Sequence, residues 1–206
     1  MGLYARFVVP ALIDLAMRQG QLEEYRRHVV PAARGRVLEI GVGSGLNLPL
    51  YGEAAEIVLA IDPSRPLLRK AVRRAEKARV PIDLREGSAT RIPFADRSLD
   101  TVVMTWTLCS IAEPAQALAE MRRVLKPQGA LLFVEHGLSP EPAVARWQKR
   151  LAPLWRPLAG GCHLDRKIDR LIADAGFRIA ELKNFYAAGP RPLTYFYEGR
   201  AEPVSG

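Results

Sequence analysis

The run Arg36-Val37-Leu38-Glu39-Ile40-Gly41-Val42-Gly43-Ser44-Gly45 constrains this chain more than any other stretch. It reads as a buried strand that breaks into a turn of alternating glycines. Seventeen residues past Gly45, a second apolar run, Ile57-Val58-Leu59-Ala60-Ile61, ends in Asp62. Strand, glycine turn, helix, strand and terminal carboxylate make a βαβ unit of the kind that holds a nucleoside. Glycine lets the backbone pass close to a ligand at angles a Cβ forbids. The Asp62 carboxylate can accept hydrogen bonds from both hydroxyls of a ribose.

The glycine spacing selects among nucleosides. A dinucleotide turn is G-x-G-x-x-G, whose third glycine opens a helix beneath a pyrophosphate. Here the glycines stand at 41, 43 and 45, and position 46 is Leu. This G-x-G-x-G, preceded by Glu39, resembles motif I of the class I S-adenosylmethionine methyltransferases, whose cofactor carries no phosphate. The resemblance implies that Gly41, Gly43 and Gly45 wrap S-adenosyl-L-methionine, with S-adenosyl-L-homocysteine as product. It also implies that Glu39 helps hold the amino-acid end and that Asp62, with Pro63, meets the ribose. The structural alternative is a tight strand-to-helix turn without a ligand.

With 206 residues, 49% hydrophobic and 25% charged, the chain is expected to form one domain over 1–206 with a sizeable core. Strand and helix alternate, which predicts an α/β fold with a parallel, doubly wound sheet. A helical leading segment, 1–33, precedes strands near Arg36–Ile40, Glu56–Ile61, Ile82–Arg85, Ser98–Met104 and Ala130–Glu135. Ser64 is placed to cap a helix with Leu67, Leu68, Ala71, Val72, Ala75 and Ala78 inward. Pro114–Leu125 reads as a helix that stops before Pro127. Glu141–Leu158 reads as a helix interrupted at Pro153, and Asp165 as the cap of a further helix ended by Gly176. The last strands are expected near Arg178–Phe185 and Pro192–Glu198.

Later stretches extend the resemblance over nearly the whole chain. Ile92-Pro93-Phe94-Ala95-Asp96-Arg97-Ser98-Leu99-Asp100-Thr101-Val102-Val103 and Glu120-Met121-Arg122-Arg123-Val124-Leu125-Lys126-Pro127-Gln128-Gly129 are similar to two ordered motifs of the methyltransferase-11 domain type. The resemblance implies a Rossmann-like three-layer sandwich whose mostly parallel seven-stranded sheet ends in an antiparallel strand. It implies that the leading segment lies over the cofactor and acceptor site. The stretches Thr107-Leu108-Cys109-Ser110, Phe133-Val134-Glu135-His136 and Gly161-Cys162-His163-Leu164-Asp165-Arg166 resemble thiol S-methyltransferases, and the core resembles bacterial phospholipid N-methyltransferases. The long amino-terminal membrane segment of the thiol-methylating proteins finds no counterpart in this sequence. One departure stands at Gly87-Ser88-Ala89, where the family carries Gly-Asp-Ala. Ser88, with Ala89, is expected at the adenine and can accept a hydrogen bond without charge. A plain turn role is the alternative.

The resemblance makes methyl transfer to a small-molecule or lipid-like acceptor the expected activity, with a thiol ahead of an amine headgroup such as phosphatidylethanolamine. Trp106 and Thr107 follow the fourth strand, where the methyl group is expected to point. His136 follows the fifth strand and is the candidate base, with His163 next; each histidine has a structural alternative. Trp106 is equally readable as core. Cys109 reads as a small buried residue. Tyr4 is placed on the leading segment as part of a lid. A nicotinamide-dependent reductase is disfavoured by Leu46, and a non-catalytic cofactor or membrane binder is the third class.

Net charge is +8. Such a balance suits anionic partners or simply a solvated basic face. The stretch Arg65–Arg79 holds seven basic residues and one acid on a helix with an apolar side, so it is a surface first. Leu3–Met17 is too short to span a bilayer but can lie on one, so peripheral contact with an anionic membrane is one expectation and packing over the fold the other. Nucleic acid is not expected as a partner, because no Asn/Asp-Pro-Pro-Tyr/Phe motif follows the fourth strand. Cys109 and Cys162 form no CxxC and fit a reducing cytoplasm, and no metal site is expected. Oligomeric state is not readable from these residues.

Overall fold

The computed structural model describes residues 14–15 and 17–204. Among the described residues there are seven strands: β1 (Gly35–Ile40), β2 (Ala55–Asp62), β3 (Ile82–Glu86), β4 (Leu99–Thr105), β5 (Leu125–His136), β6 (Phe177–Tyr186) and β7 (Tyr195–Pro203). The helices are α1 (Gly20–Val29), α2 (Arg65–Ala75), α3 (Pro114–Val124), α4 (Pro142–Leu158) and α5 (Ile168–Asp174). One sheet takes all the strands in the order β3-β2-β1-β4-β5-β7-β6. The first five pair in parallel, whereas β7 runs antiparallel to both β5 and β6.

The apolar runs form central strands because both sides of the sheet are covered. Side chains alternate between faces. Leu38, Ile40, Leu59, Ile61, Val102, Met104, Leu131 and Phe133 join Leu118 and Met121 of α3 and Ile168 and Ile172 of α5 in one core. Their sequence neighbours Val37, Val58, Ala60, Val103, Leu132 and Val134 join Val29 of α1 and Ala71 of α2 in the other. The three layers of the sandwich follow. The strand order reverses between β1 and β4, so a crevice opens beyond their carboxyl ends.

Several local expectations change. Strand β5 starts at Leu125, not Ala130: Leu99 pairs with Leu125 and, after an irregularity, Thr101 pairs with Ala130. The helix before it therefore ends at Val124, three residues ahead of Pro127. Helix α4 is continuous through Pro153 and Pro157. Both prolines are exposed, as are Lys149 and Arg150 on the preceding turn, so the carbonyl that loses its donor at Pro153 meets water. Ser64 stands at the start of α2 but caps through its backbone carbonyl, which accepts from Leu67 and Leu68, and not through its hydroxyl. Asp165 caps nothing; α5 begins after Lys167 without a side-chain cap. On α2 only Ala71 is fully buried and Val72 faces solvent.

Gly45 sits where the glycine turn meets α2. Its φ is +82°, and a Cβ would stand 2.8 Å from Leu48 and 3.1 Å from Ala71. Both the backbone angle and the packing exclude a side chain. Gly45→Ala should lower stability by about 1–3 kcal/mol, read as a fall in the urea midpoint; an unchanged midpoint would show that the turn tolerates a Cβ.

Candidate functional site

The described residues line a cavity of about 1110 Å³ at the carboxyl ends of β1, β2, β4 and β5. That exceeds the roughly 300–1,000 Å³ of a site for one small ligand, so there is room for two reactants. Glu39, Gly41, Gly43, Asp62, Pro63, Ser88, Ala89, Trp106, Thr107 and His136 all border it. Gly45 does not; it packs under α2. Tyr4 lies outside the described residues, as does the Leu3–Met17 stretch apart from Asp14, Leu15 and Met17.

Asp62 ends β2 on the same face as Glu39. Its Oδ2 accepts the Gly43 amide at 2.8 Å and its Oδ1 the Ser64 amide at 2.7 Å. Each oxygen keeps a second lone pair. Burial raises its pKa against those two amides. Gly43 has φ +55°, and a Cβ there would meet nothing closer than 3.9 Å, so the turn leaves open space in front of its backbone.

Glu39 is almost fully enclosed. Its Oε1 accepts from Asn47 Nδ2 and its Oε2 from the Tyr51 hydroxyl, both at 2.9 Å. Asn47 Nδ2 also reaches Thr105 Oγ1 at 3.1 Å, whereas Asn47 Oδ1 is buried without a partner. Glu39 and Asn47 thus border one corner of the cavity with a carboxylate and a partnerless amide oxygen, a pair whose chemistry suits an ammonium group. Burial raises the Glu39 carboxyl to about 7, against Tyr51, Asn47 and Arg26, which favour its ionised form.

The loop after β4 is held by Glu135. Its carboxylate accepts the amides of Thr107 (2.7 Å), Leu108 (2.9 Å) and Cys109 (3.1 Å). Burial still raises it to about 7. Trp106, just before these amides, has φ +50°, and its amide donates to Val134. The ring lies edge-on to Phe196 at 5.7 Å and beneath the Arg26 guanidinium at 4.8 Å, with its Nε1 buried and unpartnered. Arg26 itself is buried and donates to the Met17 carbonyl at 3.0 Å. Burial lowers its pKa to about 10.

His136 is 4% exposed. Its Nδ1 lies 3.4 Å from Cys162 Sγ, and its Nε2 has no partner. The Cys162 thiol is lowered by a hydrogen bond from Cys109 and by His136, while Cys109 is raised. With its proton on Nδ1, toward the Cys162 sulfur, the imidazole presents a lone pair at Nε2. His163 does not border the cavity; it stands 3.8 Å from Asp165, and burial lowers its pKa. Ser88 bonds within its own turn, to Thr90 Oγ1 at 2.8 Å, so its hydroxyl serves the loop as well as the cavity. Among the described residues, no three His, Cys, Asp or Glu side chains gather as a metal site, and no helix is long and apolar enough to cross a membrane.

No local pattern in the sequence marks Asp14, Arg26, Asn47 or Tyr51 as a site residue, and Cys162 is marked only as part of the Gly161–Arg166 stretch. Asp14 lines the cavity and accepts from Ser44 Oγ at 2.5 Å, Arg18 at 2.6 Å and Lys70 at 3.1 Å, which hold its carboxyl well below the usual range. Glu135 leaves a signal, since it stands one residue before the end of an apolar strand, much as Asp62 ends one.

A family model described as a methyltransferase domain matches residues 38–133. A phosphatidylethanolamine N-methyltransferase of Cereibacter sphaeroides is 35% identical over 74% of this chain and 74% of its own length. A thiol S-methyltransferase, TMT1B of Rattus norvegicus, is 33% identical over 71% of this chain and 62% of its own. A demethylmenaquinone methyltransferase of Renibacterium salmoninarum is 40% identical over 58% of this chain, which spans 50% of that relative's length. Solved structures share the fold: an S-adenosylmethionine-dependent methyltransferase of Methanosarcina mazei superposes with TM-score 0.67 at 21% identity, over 83% of this chain and 93% of that one. The [4+2]-cyclase SpnF superposes with TM-score 0.68 at 19% identity, over 90% of this chain and 81% of that one.

The Glu39 carboxyl ionises near 4.5 when exposed but near 7 in the fold. Between those values the folded chain keeps a proton the unfolded chain has lost, so this group makes stability fall as pH rises from about 4.5 to about 7. Glu39→Gln should flatten that slope by on the order of 1–2 kcal/mol, measured by urea unfolding at pH 5.5 and 7.5. An identical slope in both proteins would remove Glu39 as its source.

Proposed function

Because the chain belongs to the S-adenosylmethionine-dependent methyltransferase family, we propose that it methylates a small or lipid-like acceptor, with a thiol ahead of an amine. Family membership sets aside the nicotinamide-dependent reductase and the non-catalytic binder. When bound, S-adenosylmethionine supplies a methyl group on a positively charged sulfonium. The residues present suit it. Glu39 and Asn47 Oδ1 receive its ammonium, the backbone of Gly41 and Gly43 leaves room along its length, and the free lone pairs of Asp62 meet its ribose hydroxyls. Pro63, Ser88 and Ala89 flank the adenine, and Thr107 closes the turn opposite Gly41. Gly45 contributes by holding the turn against α2. The leading residues Asp14, Met17, Leu22 and Arg26 line one wall of the cavity.

One observation favours a thiol: the unpartnered Nε2 of buried His136. A thiol attacks as its anion, and this nitrogen can take the proton. Cys162 is a positioning residue: its sulfur lies 3.4 Å from Nδ1 and, when it accepts the Nδ1 proton's hydrogen bond, leaves Nε2 as the base. The His136 ring packs edge-on against Phe196 and beside the Cys162 sulfur, an apolar setting that suits a thiol. The amine reading draws its support from the phosphatidylethanolamine-methylating relative.

The test is a panel of alkyl thiols, phosphatidylethanolamine and a demethylated quinol, scored for S-adenosylhomocysteine release. Thiols should turn over, and His136→Gln should lower kcat/KM for them by about 10²–10⁴ while leaving S-adenosylhomocysteine affinity unchanged. Turnover of the phospholipid alone would replace the thiol reading with the amine one. Asp62→Ala should weaken cofactor binding by about 1–3 kcal/mol in calorimetry; unaltered affinity would remove Asp62 from the cofactor site.

A further inference from the structure

Helix α4 carries an apolar stripe on its outer side. Trp147, Leu154 and Leu158 are 56%, 69% and 68% exposed. Their spacings of seven and four place them within roughly 40° of one another at 3.6 residues per turn. Val144, Gln148 and Ala152 are the buried side of the same helix. The stripe is therefore not the helix's packing face; it is additional apolar surface turned to solvent, where large contiguous apolar surface is uncommon.

Charge decides what suits it. Residues 142–158 contain Arg146, Lys149, Arg150 and Arg156 and no acid. Arg156 reaches Asp165 at 3.7 Å, whereas Arg150 and, further round the helix, Arg146 are exposed on one flank of the stripe, and Lys149 is exposed on the far side. The Arg150 guanidinium lies 5.8 Å from the Trp147 ring, so cation and aromatic share one edge. Apolar side chains with a tryptophan, bordered by cations, match the interfacial layer of an anionic bilayer: rings and alkyl groups enter at headgroup depth while the cations meet phosphate.

The stripe also leads somewhere. Leu158 is both its last member and a lining residue of the cavity, followed on the rim by Ala159 and Gly160. We propose that α4 docks the protein onto anionic phospholipid membranes and sets the cavity mouth at the lipid surface. An acceptor dissolved in the bilayer then reaches His136 along Leu158 and Trp155 without crossing bulk water. The docking face rests on α4 alone, and it stands whether the acceptor is a thiol or an amine.

The experiment is co-sedimentation of the full chain with vesicles of phosphatidylglycerol and phosphatidylcholine, and of phosphatidylcholine alone, alongside sedimentation velocity without lipid. The wild type should bind the anionic vesicles, bind phosphatidylcholine far less, and release in high salt. The double variant Trp147→Glu/Leu154→Glu should lose about tenfold or more in binding and keep its unfolding midpoint and its turnover of a water-soluble acceptor. Binding of the variant as tight as that of the wild type would overturn the proposal, since membrane affinity would then lie elsewhere in the chain. Equal binding to neutral vesicles, or none to anionic ones, would overturn it too. So would a wild-type dimer that the double variant splits, which would make the stripe an interface between copies.

Discussion

The Asp62 carboxylate ends β2, the Glu135 carboxylate stands one residue before the end of β5, and each accepts backbone amides from a neighbouring loop. Asp62 ties the glycine turn after β1 to the start of α2. Glu135 gathers three successive amides after β4. Loops at the carboxyl edge of a parallel sheet have amides that the strand ladders cannot satisfy, and a buried amide without a partner costs about as much as a lost hydrogen bond. One carboxylate supplies several acceptor positions at once. The carboxylates meet a desolvation cost in return, visible in the raised pKa of both groups. The geometry of the cavity thus follows from two acids whose first task is to satisfy backbone.

A third acid extends the same logic to the leading residues. Asp14 meets Ser44 of the glycine turn and Lys70 of α2, with Arg74 at 3.8 Å. Arg74 in turn donates to the Ser44 carbonyl at 2.5 Å. Two members of the basic helix are therefore committed inward and the rest face solvent. The described part of the leading segment borders the cavity because charge pairs it to the turn, with Arg26 and Trp106 stacked alongside.

Sequence reading succeeds here where a local pattern has one physical solution. Val37-Leu38 and Val102-Val103-Met104 are apolar on consecutive positions, which suits a strand covered on both faces, and the turn at Gly41–Gly45 follows from its spacing. The acids of that pattern, Glu39 and Asp62, fall on the cavity because a strand's alternation fixes the face they take. Reading fails where the partner is remote. Nothing near Arg26 announces Trp106, and nothing near His136 announces Cys162, 26 residues away. Proline signals mislead for a related reason: at Pro153 the lost hydrogen bond is made good by solvent, and solvent exposure is a tertiary fact. Asp165 and Ser64 have the chemistry of caps, but their neighbours make other arrangements.

Strand β7 lies between β5 and β6, so its neighbours in space are the strands made before it. During synthesis the outer edge of β5 emerges first and β6 next, yet neither finds its ladder until residues 195–203 arrive to wedge between them. The ribosome therefore exposes an open β5 edge for the time taken to make about sixty further residues, a few seconds at ordinary elongation rates. Closure of this half of the sheet waits for residues 195–203, and until they emerge that flank stays bare.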